Sequence, residues 1–283
     1  MTKDCGKLYI CPTPIGNLED ITLRVLRILK EVDLIAAEDT RHTIKLLNHY
    51  DIQKPLTSYH EHNRESKGKV LLEKLMAGEN IALVSDAGMP GISDPGSDLV
   101  KLCVENHIDI EVLPGAAAFV TALVASGLPT DKFSFEGFLD RDKKKRKKRL
   151  EEIKGEDRTL IFYEAPHRIC TTLQDIVKVL GNRQAVLARE LTKKHEEFLR
   201  GSLEELEAHF EQREPKGEMV LMISGAAPED RLQEISSWES LSIEAHLTQY
   251  MDSGMDKKEA IKAVAKERGI PKREVYECSI HLE

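Results

Sequence analysis

The sequence predicts an α/β protein made of two α/β domains and a small helical module. Three observations lead there. Over residues 1–117 short apolar runs alternate with stretches of helical periodicity, the pattern of a mostly parallel sheet covered by helices. Over residues 118–227 strand and helix candidates continue, but two of the strands are joined too closely for a crossover, so this sheet is mixed. Over residues 238–283 two helical stretches flank Gly269-Ile270-Pro271, the outline of a helix-turn-helix.

Leu8-Tyr9-Ile10-Cys11 opens the chain as a strand. Ile21, Val25, Ile28, Leu29 and Val32 recur at helical spacing, and Leu34-Ile35-Ala36-Ala37 follows as a strand. A helix over 43–49, a strand near 56–59 and a helix over 65–76 come next. A strand over 81–84, a helix over 98–105 and a strand over 110–113 complete the set. Small residues at Pro114-Gly115-Ala116-Ala117-Ala118 then lead into another helix. Further strands are expected over 133–138, 159–163, 185–188, 197–200 and 219–224, and helices over 144–153, 166–180 and 203–212. Ser202-Leu203-Glu204-Glu205 fits a capping box at the start of the last of these. Residues 226–242 are polar and pattern-poor and read as a linker, and Trp238 within them reads as a core residue rather than part of a base-stacking ladder. Asp256 begins a capped helix with Ala260, Ile261, Val264 and Ala265 on one face, and 272–278 begin another. A helical hairpin that only packs on the body is the alternative to a helix-turn-helix that docks nucleic acid.

With 283 residues, 41% hydrophobic and 32% charged, the chain has the composition of an ordinary globular protein. No run approaches the roughly 18 apolar residues of a membrane helix, and the first residues lack signal-peptide anatomy, so a cytoplasmic protein is expected. The five cysteines are scattered without a C-x-x-C pair, which argues against a zinc site or a disulfide framework. The net charge is −8, yet residues 141–149 hold eight basic residues and one acid, a local +7. A dense basic segment on an acidic protein suggests a directed contact with a polyanion, with Arg141, Lys143, Lys144, Lys147 and Lys148 as phosphate ligands. A solvated helix face is the plainer reading.

The most informative stretch is Ser85-Asp86-Ala87-Gly88-Met89-Pro90-Gly91-Ile92-Ser93-Asp94-Pro95-Gly96, between a buried strand and a helix. Its glycines and prolines give a rigid loop that a ligand can approach closely, and Asp94-Pro95 looks like an N-cap followed by a first helical residue. An open α/β sheet places its ligand there, at the carboxyl ends of its strands. There is no G-x-x-x-x-G-K-[ST] loop, and Pro12 to Asn17 lacks G-x-G-x-x-G, so neither a nucleoside triphosphate nor a dinucleotide is indicated. His60-Glu61-His62 would set two imidazoles on one face, but no third ligand is evident, so no metal is expected and contact with RNA or a cleft lip is preferred. His167-Arg168 at a helix start offers a phosphate contact or interdomain packing.

Six motifs stand in order: Cys11-Pro12-Thr13-Pro14-Ile15-Gly16-Asn17, Ala37-Glu38-Asp39-Thr40-Arg41, the 85–96 loop, Leu113-Pro114-Gly115-Ala116-Ala117, Tyr163-Glu164-Ala165-Pro166-His167-Arg168 and Ala188-Arg189-Glu190-Leu191-Thr192-Lys193. The series resembles the bacterial small-subunit ribosomal RNA cytidine 2′-O-methyltransferases, the RNA-modifying branch of the tetrapyrrole methylase superfamily. The resemblance spans essentially the whole chain. It implies two α/β domains with S-adenosylmethionine in the cleft between them. It implies methylation of a cytidine ribose in the decoding centre of small-subunit (16S) ribosomal RNA, and a homodimer. Cofactor contacts would fall on Pro14, Asp86, Gly88, Met89, Ile92, Ala117, Ala118, Tyr163, Leu191 and Met219. Gly88-Met89-Pro90 stands where the tetrapyrrole branch has Gly-Asp-Pro, a departure that fits the RNA branch.

Methyl transfer to a ribose hydroxyl needs a group that takes the proton or favours the alkoxide. Glu38, Asp39 and Arg41 follow the second strand, and Arg189, Glu190 and Lys193 follow a second-domain strand that could face them. Glu38 or Asp39, with Glu190, are expected to orient or deprotonate the hydroxyl. Arg41, Arg189 and Lys193 are expected to hold the flanking phosphates, and Arg168 to contact the RNA. An interdomain salt-bridge network is the structural alternative. A methyltransferase acting on a small tetrapyrrole, and a non-catalytic RNA-binding adaptor, are the other readings. The basic run and helical tail speak against the first. The charged groups at strand ends speak against the second. The expected partner is small-subunit ribosomal RNA or the assembled subunit, with no membrane.

Overall fold

The central strands of the first half are apolar on both faces because both faces are covered. The computed structural model describes residues 5–227, 241–252 and 254–280. Its first sheet contains β1 (Leu8–Ile10), β2 (Leu34–Ala37), β3 (Leu56–Ser58), β4 (Ile81–Val84) and β5 (Ile110–Val112), all parallel, in the order β3-β2-β4-β1-β5. Leu8, Ile10, Leu34, Ala36, Ile81 and Leu83 pack with α3 (Arg64–Met76) and α4 (Gly96–Glu105). Ile35, Ala37, Ala82 and Val84 pack on the other face with α1 (Leu23–Glu31) and α2 (Thr40–His49). This period of two, buried on both sides, is what a covered parallel sheet requires. From β1 the chain moves one way to make β2 and β3, then returns through β4 and crosses to β5. After β1 and β4 the chain passes into helices on opposite faces of the sheet, which opens a crevice at the strand carboxyl ends.

Helix starts follow their caps. Asp39 accepts from the N–H of Arg41, so α2 begins at Thr40, earlier than periodicity alone suggests. At α4, Pro95 occupies the N-cap position and Gly96 starts the helix, one place later than an Asp94 cap implies. The Asp94 carboxylate is drawn back into the loop, accepting from Gly91 N at 2.9 Å as well as Gly96 N at 2.7 Å.

The second sheet contains β6 (Phe133–Phe138), β7 (Thr159–Glu164), β8 (Gln184–Arg189), β9 (Glu197–Ser202) and β10 (Met219–Ile223), ordered β6-β7-β10-β8-β9. β6 and β7 are parallel and the remaining pairs antiparallel, so the sheet is mixed, with the β8–β9 hairpin paired from Gln184↔Ser202 to Arg189↔Glu197. One face carries α6 (Lys143–Glu152), α7 (Ile169–Leu180) and α8 (Leu203–Gln212). The other carries α5 (Ala118–Ser126), joined by Ile15 from the first half. α7 starts after the expected Pro166, because residues 165–168 form a turn closed by Arg168 N–H on Ala165 O at 3.0 Å. The capping box at Ser202 and Glu205 is complete.

Both α/β halves belong to one unit, residues 1–154 and 158–224, and residues 155–157 and 225–283 form the other. The smaller unit holds α9 (Ile243–Asp252), α10 (Lys257–Arg268) and α11 (Lys272–Ser279) around Leu247, Ala260, Val264, Ala265 and Val275. Asp256 caps α10 through Glu259 N–H, and Gly269 ends it at φ 64°. α9 was not expected from the sequence, although Ser242 caps it by accepting from Ala245 N–H. Most of the expected linker, Trp238 included, lies outside the described residues.

Candidate active site

The crevice is built from loops that close on each other through backbone bonds. Thr13 and Gly88 exchange N–H···O bonds at 3.0 Å, tying the loop after β1 to the loop after β4. Thr13 Oγ1 donates to Ser85 O, and Ser85 Oγ donates to Gly88 O, each at 3.1 Å. Gly88 sits at φ +82°, and a Cβ there would lie 3.2 Å from Ile15 Cγ2 and 3.4 Å from Ala116 O. Only glycine meets that conformation and that closeness without strain. The second half is drawn against the same loop. Asn17 N–H donates to Thr192 Oγ1 at 3.0 Å, and a Cβ on Gly16 would fall within 2.8 Å of Leu191, Thr192 and Lys193. Glu190 and Thr192 both adopt positive φ, 50° and 63°, a strained backbone held at Thr192 by Asn17 and at Glu190 by its N–H on Glu218 O at 3.0 Å.

Between the halves lies a cavity of about 420 Å³, within the usual range of roughly 300–1,000 Å³ for small-molecule sites. Ile15, Met89, Ile92, Phe119, Phe138, Leu191, Met219 and Val220 give it apolar walls. Tyr163 stands among them, its ring 5.0 Å from that of Phe135 and 5.6 Å from that of Phe138, with its hydroxyl pKa raised by burial. Glu38, Asp86, Asp94, Glu164 and Glu218 supply carboxylates, and no described residue lining the cavity is Lys, Arg or His. Burial, with Asp86 and Asp94 nearby, raises the pKa of Glu38. Burial also raises Asp94, against the opposing pull of three backbone N–H groups.

Beside it lies a second cavity of about 410 Å³, sharing Ile15, Ser85, Asp86, Ala87 and Glu218 with the first. Its wall carries His42, Lys45 and Lys193. Asp86 joins the two: Oδ1 accepts from Asp39 N–H at 2.9 Å, and Oδ2 lies 3.6 Å from His42 Nδ1.

The residues singled out from the sequence divide accordingly. Asp86, Gly88, Met89, Ile92, Ala117, Ala118, Tyr163, Leu191 and Met219 all line the first cavity. Pro14 does not, because the bridge at Thr13 turns it into the wall of the second, and Ile15 takes its place. Of the expected catalytic carboxylates only Glu38 lines the first cavity. Asp39 is committed to capping α2 and to the Arg41 side chain, which donates to it at 2.6 Å and holds its carboxyl well below the usual range. Arg41 otherwise lies 85% exposed and lines neither cavity. Glu190 accepts from Lys193 Nζ and from Glu218 N–H, both at 3.0 Å. Burial opposes it, but those donors keep the Glu190 carboxyl below its ordinary value. Arg189 pairs with Glu197. Arg168 turns inward, to Glu164 and to Leu139 O at 2.7 Å, so it is a packing residue and not a phosphate ligand. The basic run forms α6. Arg146 is buried and holds Asp175 at 2.6 Å, and Arg149 holds Glu136 and Glu152. Arg141, Lys143, Lys144, Lys147 and Lys148 remain exposed without an ion pair among the described residues. His60 and His62 lie in a turn, ring centroids 6.0 Å apart, and the described residues contain no cluster of three potential metal ligands. His42, Lys45, Ile15 and Phe138 were missed; His42 and Lys45 are hidden in an ordinary helical pattern and are assigned only by the fold.

The profile of the Tetrapyrrole (Corrin/Porphyrin) Methylases matches residues 7–207. A Halalkalibacterium halodurans protein named ribosomal RNA small subunit methyltransferase I is 55% identical over 273 residues, covering 96% of this chain and 94% of that one. A Thermotoga maritima protein of the same name is 50% identical over 220 residues, 78% of this chain and 99% of its own length. Among solved structures, a uroporphyrin-III C-methyltransferase from Thermus thermophilus, complexed with S-adenyl homocysteine, superposes with a TM-score of 0.56 at 17% identity. It covers 77% of this chain and 97% of that one.

Proposed function

We infer from its cleft that this chain, which belongs to the tetrapyrrole (corrin/porphyrin) methylase family, is an S-adenosylmethionine-dependent methyltransferase of small-subunit ribosomal RNA. The observation that carries the reading is the first cavity, with carboxylates and aromatic rings but no basic side chain among its described lining residues. A nucleotide phosphate would find no counter-charge there. A nucleoside bearing a positive sulfur fits: apolar and aromatic surface for the adenine, backbone groups of the glycine loop for its edges, and Glu38, Asp86 and Asp94 as counter-charges. When bound, that cofactor supplies a methyl group open to displacement by a nucleophile.

The acceptor in this reading is the 2′-hydroxyl of a cytidine in the decoding centre, presented on the RNA or on the assembled small subunit. The exposed cations of α6 would hold phosphates outside the cleft. The helical unit would help dock the RNA without entering the chemistry. Its support is the Thermotoga relative, matched over nearly all its length by a segment close in size to the larger unit. A homodimer working in the cytoplasm completes the reading; no helix among the described residues is long and apolar enough to cross a membrane. The other two readings have less support: a small tetrapyrrole needs no basic helix, and an RNA adaptor needs no such cavity.

The test is labelled methyl transfer from S-adenosylmethionine to small subunits of a strain lacking this activity, with mapping of the product. A label on one cytidine ribose is expected. Label on a base, or on no ribosomal RNA, would refute it.

A further inference from the structure

We propose that the second cavity seats the acceptor nucleotide of the RNA, with Lys45 on its phosphate and His42 taking the proton of the attacking hydroxyl. The proposal rests on the reading of the chain as an RNA ribose methyltransferase.

The two cavities adjoin, with opposite chemistry. The second carries His42, Lys45 and Lys193 where the described lining of the first carries no base. Lys193 is already paired with Glu190 and Glu218, so it contributes little free charge. Lys45 is exposed and makes no ion pair among the described residues, which leaves its ammonium for a phosphate. At about 410 Å³ the space is of small-molecule size. A methyl group carried in the first cavity and an acceptor in the second can meet only along their common wall. Of the polar side chains there, Ser85 is turned to Gly88 O and Glu218 is paired with Lys193, which leaves Asp86 as the junction.

Asp86 is fixed on one oxygen by Asp39 N–H, and its other oxygen faces His42 Nδ1 at 3.6 Å. At 3.6 Å the pair is a charge contact and not a hydrogen bond; drawn in by a few tenths of an ångström when the acceptor binds, the carboxylate would hold the proton on Nδ1 and leave Nε2 as the acceptor. The step then balances. The ribose oxygen bonds to the methyl carbon as the carbon–sulfur bond breaks, and that pair goes to sulfur, leaving a neutral thioether. The hydroxyl proton passes to His42 Nε2 and on to solvent, since the ring is 61% exposed. The expected bases Asp39 and Glu190 are engaged elsewhere, Asp39 with the Arg41 side chain and Glu190 with Lys193.

The test uses the full chain, labelled S-adenosylmethionine and unmodified small subunits. His42→Ala should lower the single-turnover rate by roughly 10²-fold with subunit affinity unchanged, and free imidazole should restore part of it. Lys45→Gln should weaken subunit binding, measured by co-sedimentation without turnover, and reduce its log–log salt slope by roughly 0.7. Calorimetric affinity for S-adenosylmethionine should be unchanged in both. A wild-type rate in His42→Ala, or unaltered affinity and slope in Lys45→Gln, overturns the assignment. A wild-type chain that binds the cofactor but methylates no subunit fails earlier, and that result refutes the function on which the assignment stands.

Discussion

The two neighbouring cavities share a wall and nearly the same volume, yet the described lining of one holds no basic side chain and that of the other holds His42, Lys45 and Lys193. Local backbone explains the difference. The first is bounded by strand ends and the glycine loop, where side chains are short and the carboxylates are held by backbone N–H groups, as Asp94 is by Gly91 and Gly96. The second is bounded in part by α2, whose His42, Thr43, Lys45 and Leu46 line it. On the proposed assignment a cation faces Glu38 and Asp94 on one side and a polyanion faces Lys45 on the other, with Asp86 and Glu218 on the wall between them. Electrostatics of this kind sorts ligands more than it adds affinity.

The sharpest way to break the comparison is to close one cavity alone. Gly88→Val adds a branched side chain at φ +82°, against Ile15 and Ala116. Cofactor affinity by calorimetry should fall by roughly 10²-fold or more, while binding of small subunits survives. If both are lost together, the cavities are not separable and the contrast between them carries no functional meaning. Retained cofactor affinity would remove the glycine loop from the site.

Much of this was legible in the sequence, for a definite reason. The glycine loop, the capped helices at Ser202 and Asp256 and the β8–β9 hairpin are local features, each written within a few neighbouring residues. Nine of the ten residues that the family resemblance implied at the cofactor line one cavity, and seven of those nine lie within the ordered motifs that carry the resemblance. The charged residues were harder to place. Glu38 and Asp39 are neighbours in sequence with opposite fates: one enters the cavity and the other caps a helix. Composition cannot separate them; the position of Asp39 just before the α2 pattern is the signal that could have. His42 and Asp86 lie on separate elements and meet only because β2 and β4 are adjacent. Arg146 looked like one more cation in a run, but the face of α6 it occupies turns it onto Asp175. Removing either partner of so buried a pair costs about 3–5 kcal/mol, so Arg146 belongs to stability and not to RNA binding.

That distinction predicts an effect outside both cavities. Neutralising Lys143, Lys144, Lys147 and Lys148 together should weaken binding of small subunits and lower the log–log salt slope by roughly 0.7 for each phosphate no longer neutralised. Cofactor affinity and thermal stability should stay near wild type, because none of the four pairs with a described residue. A fifth change, Arg146→Gln, should instead lower stability and leave the salt slope alone. An unaltered slope in the fourfold variant would make α6 a solvated face, and the second cavity would then be the main basic feature left for the RNA.

The smallest expected effect sharpens the acidic side of the comparison. Glu38 shares the first cavity with Asp86 and Asp94, and burial together with those neighbours raises its pKa above the ordinary value of 4.5. A carboxyl raised by folding favours the native state while it is protonated, and that contribution is lost as pH rises through the raised value. At neutral pH the ionised Glu38 is therefore a local burden, one that only a cation in the cavity relieves. Glu38→Gln should melt slightly higher than wild type at pH 7, by no more than roughly 2 °C because solvent screens a half-buried group. The gain should vanish below about pH 4, where both side chains are neutral. Saturating S-adenosylmethionine should reverse the order, since the wild type keeps the carboxylate that faces the positive sulfur and gains more from the ligand. A variant that is no more stable than wild type without ligand, and is stabilised equally with it, would show that Glu38 faces solvent and not the cofactor.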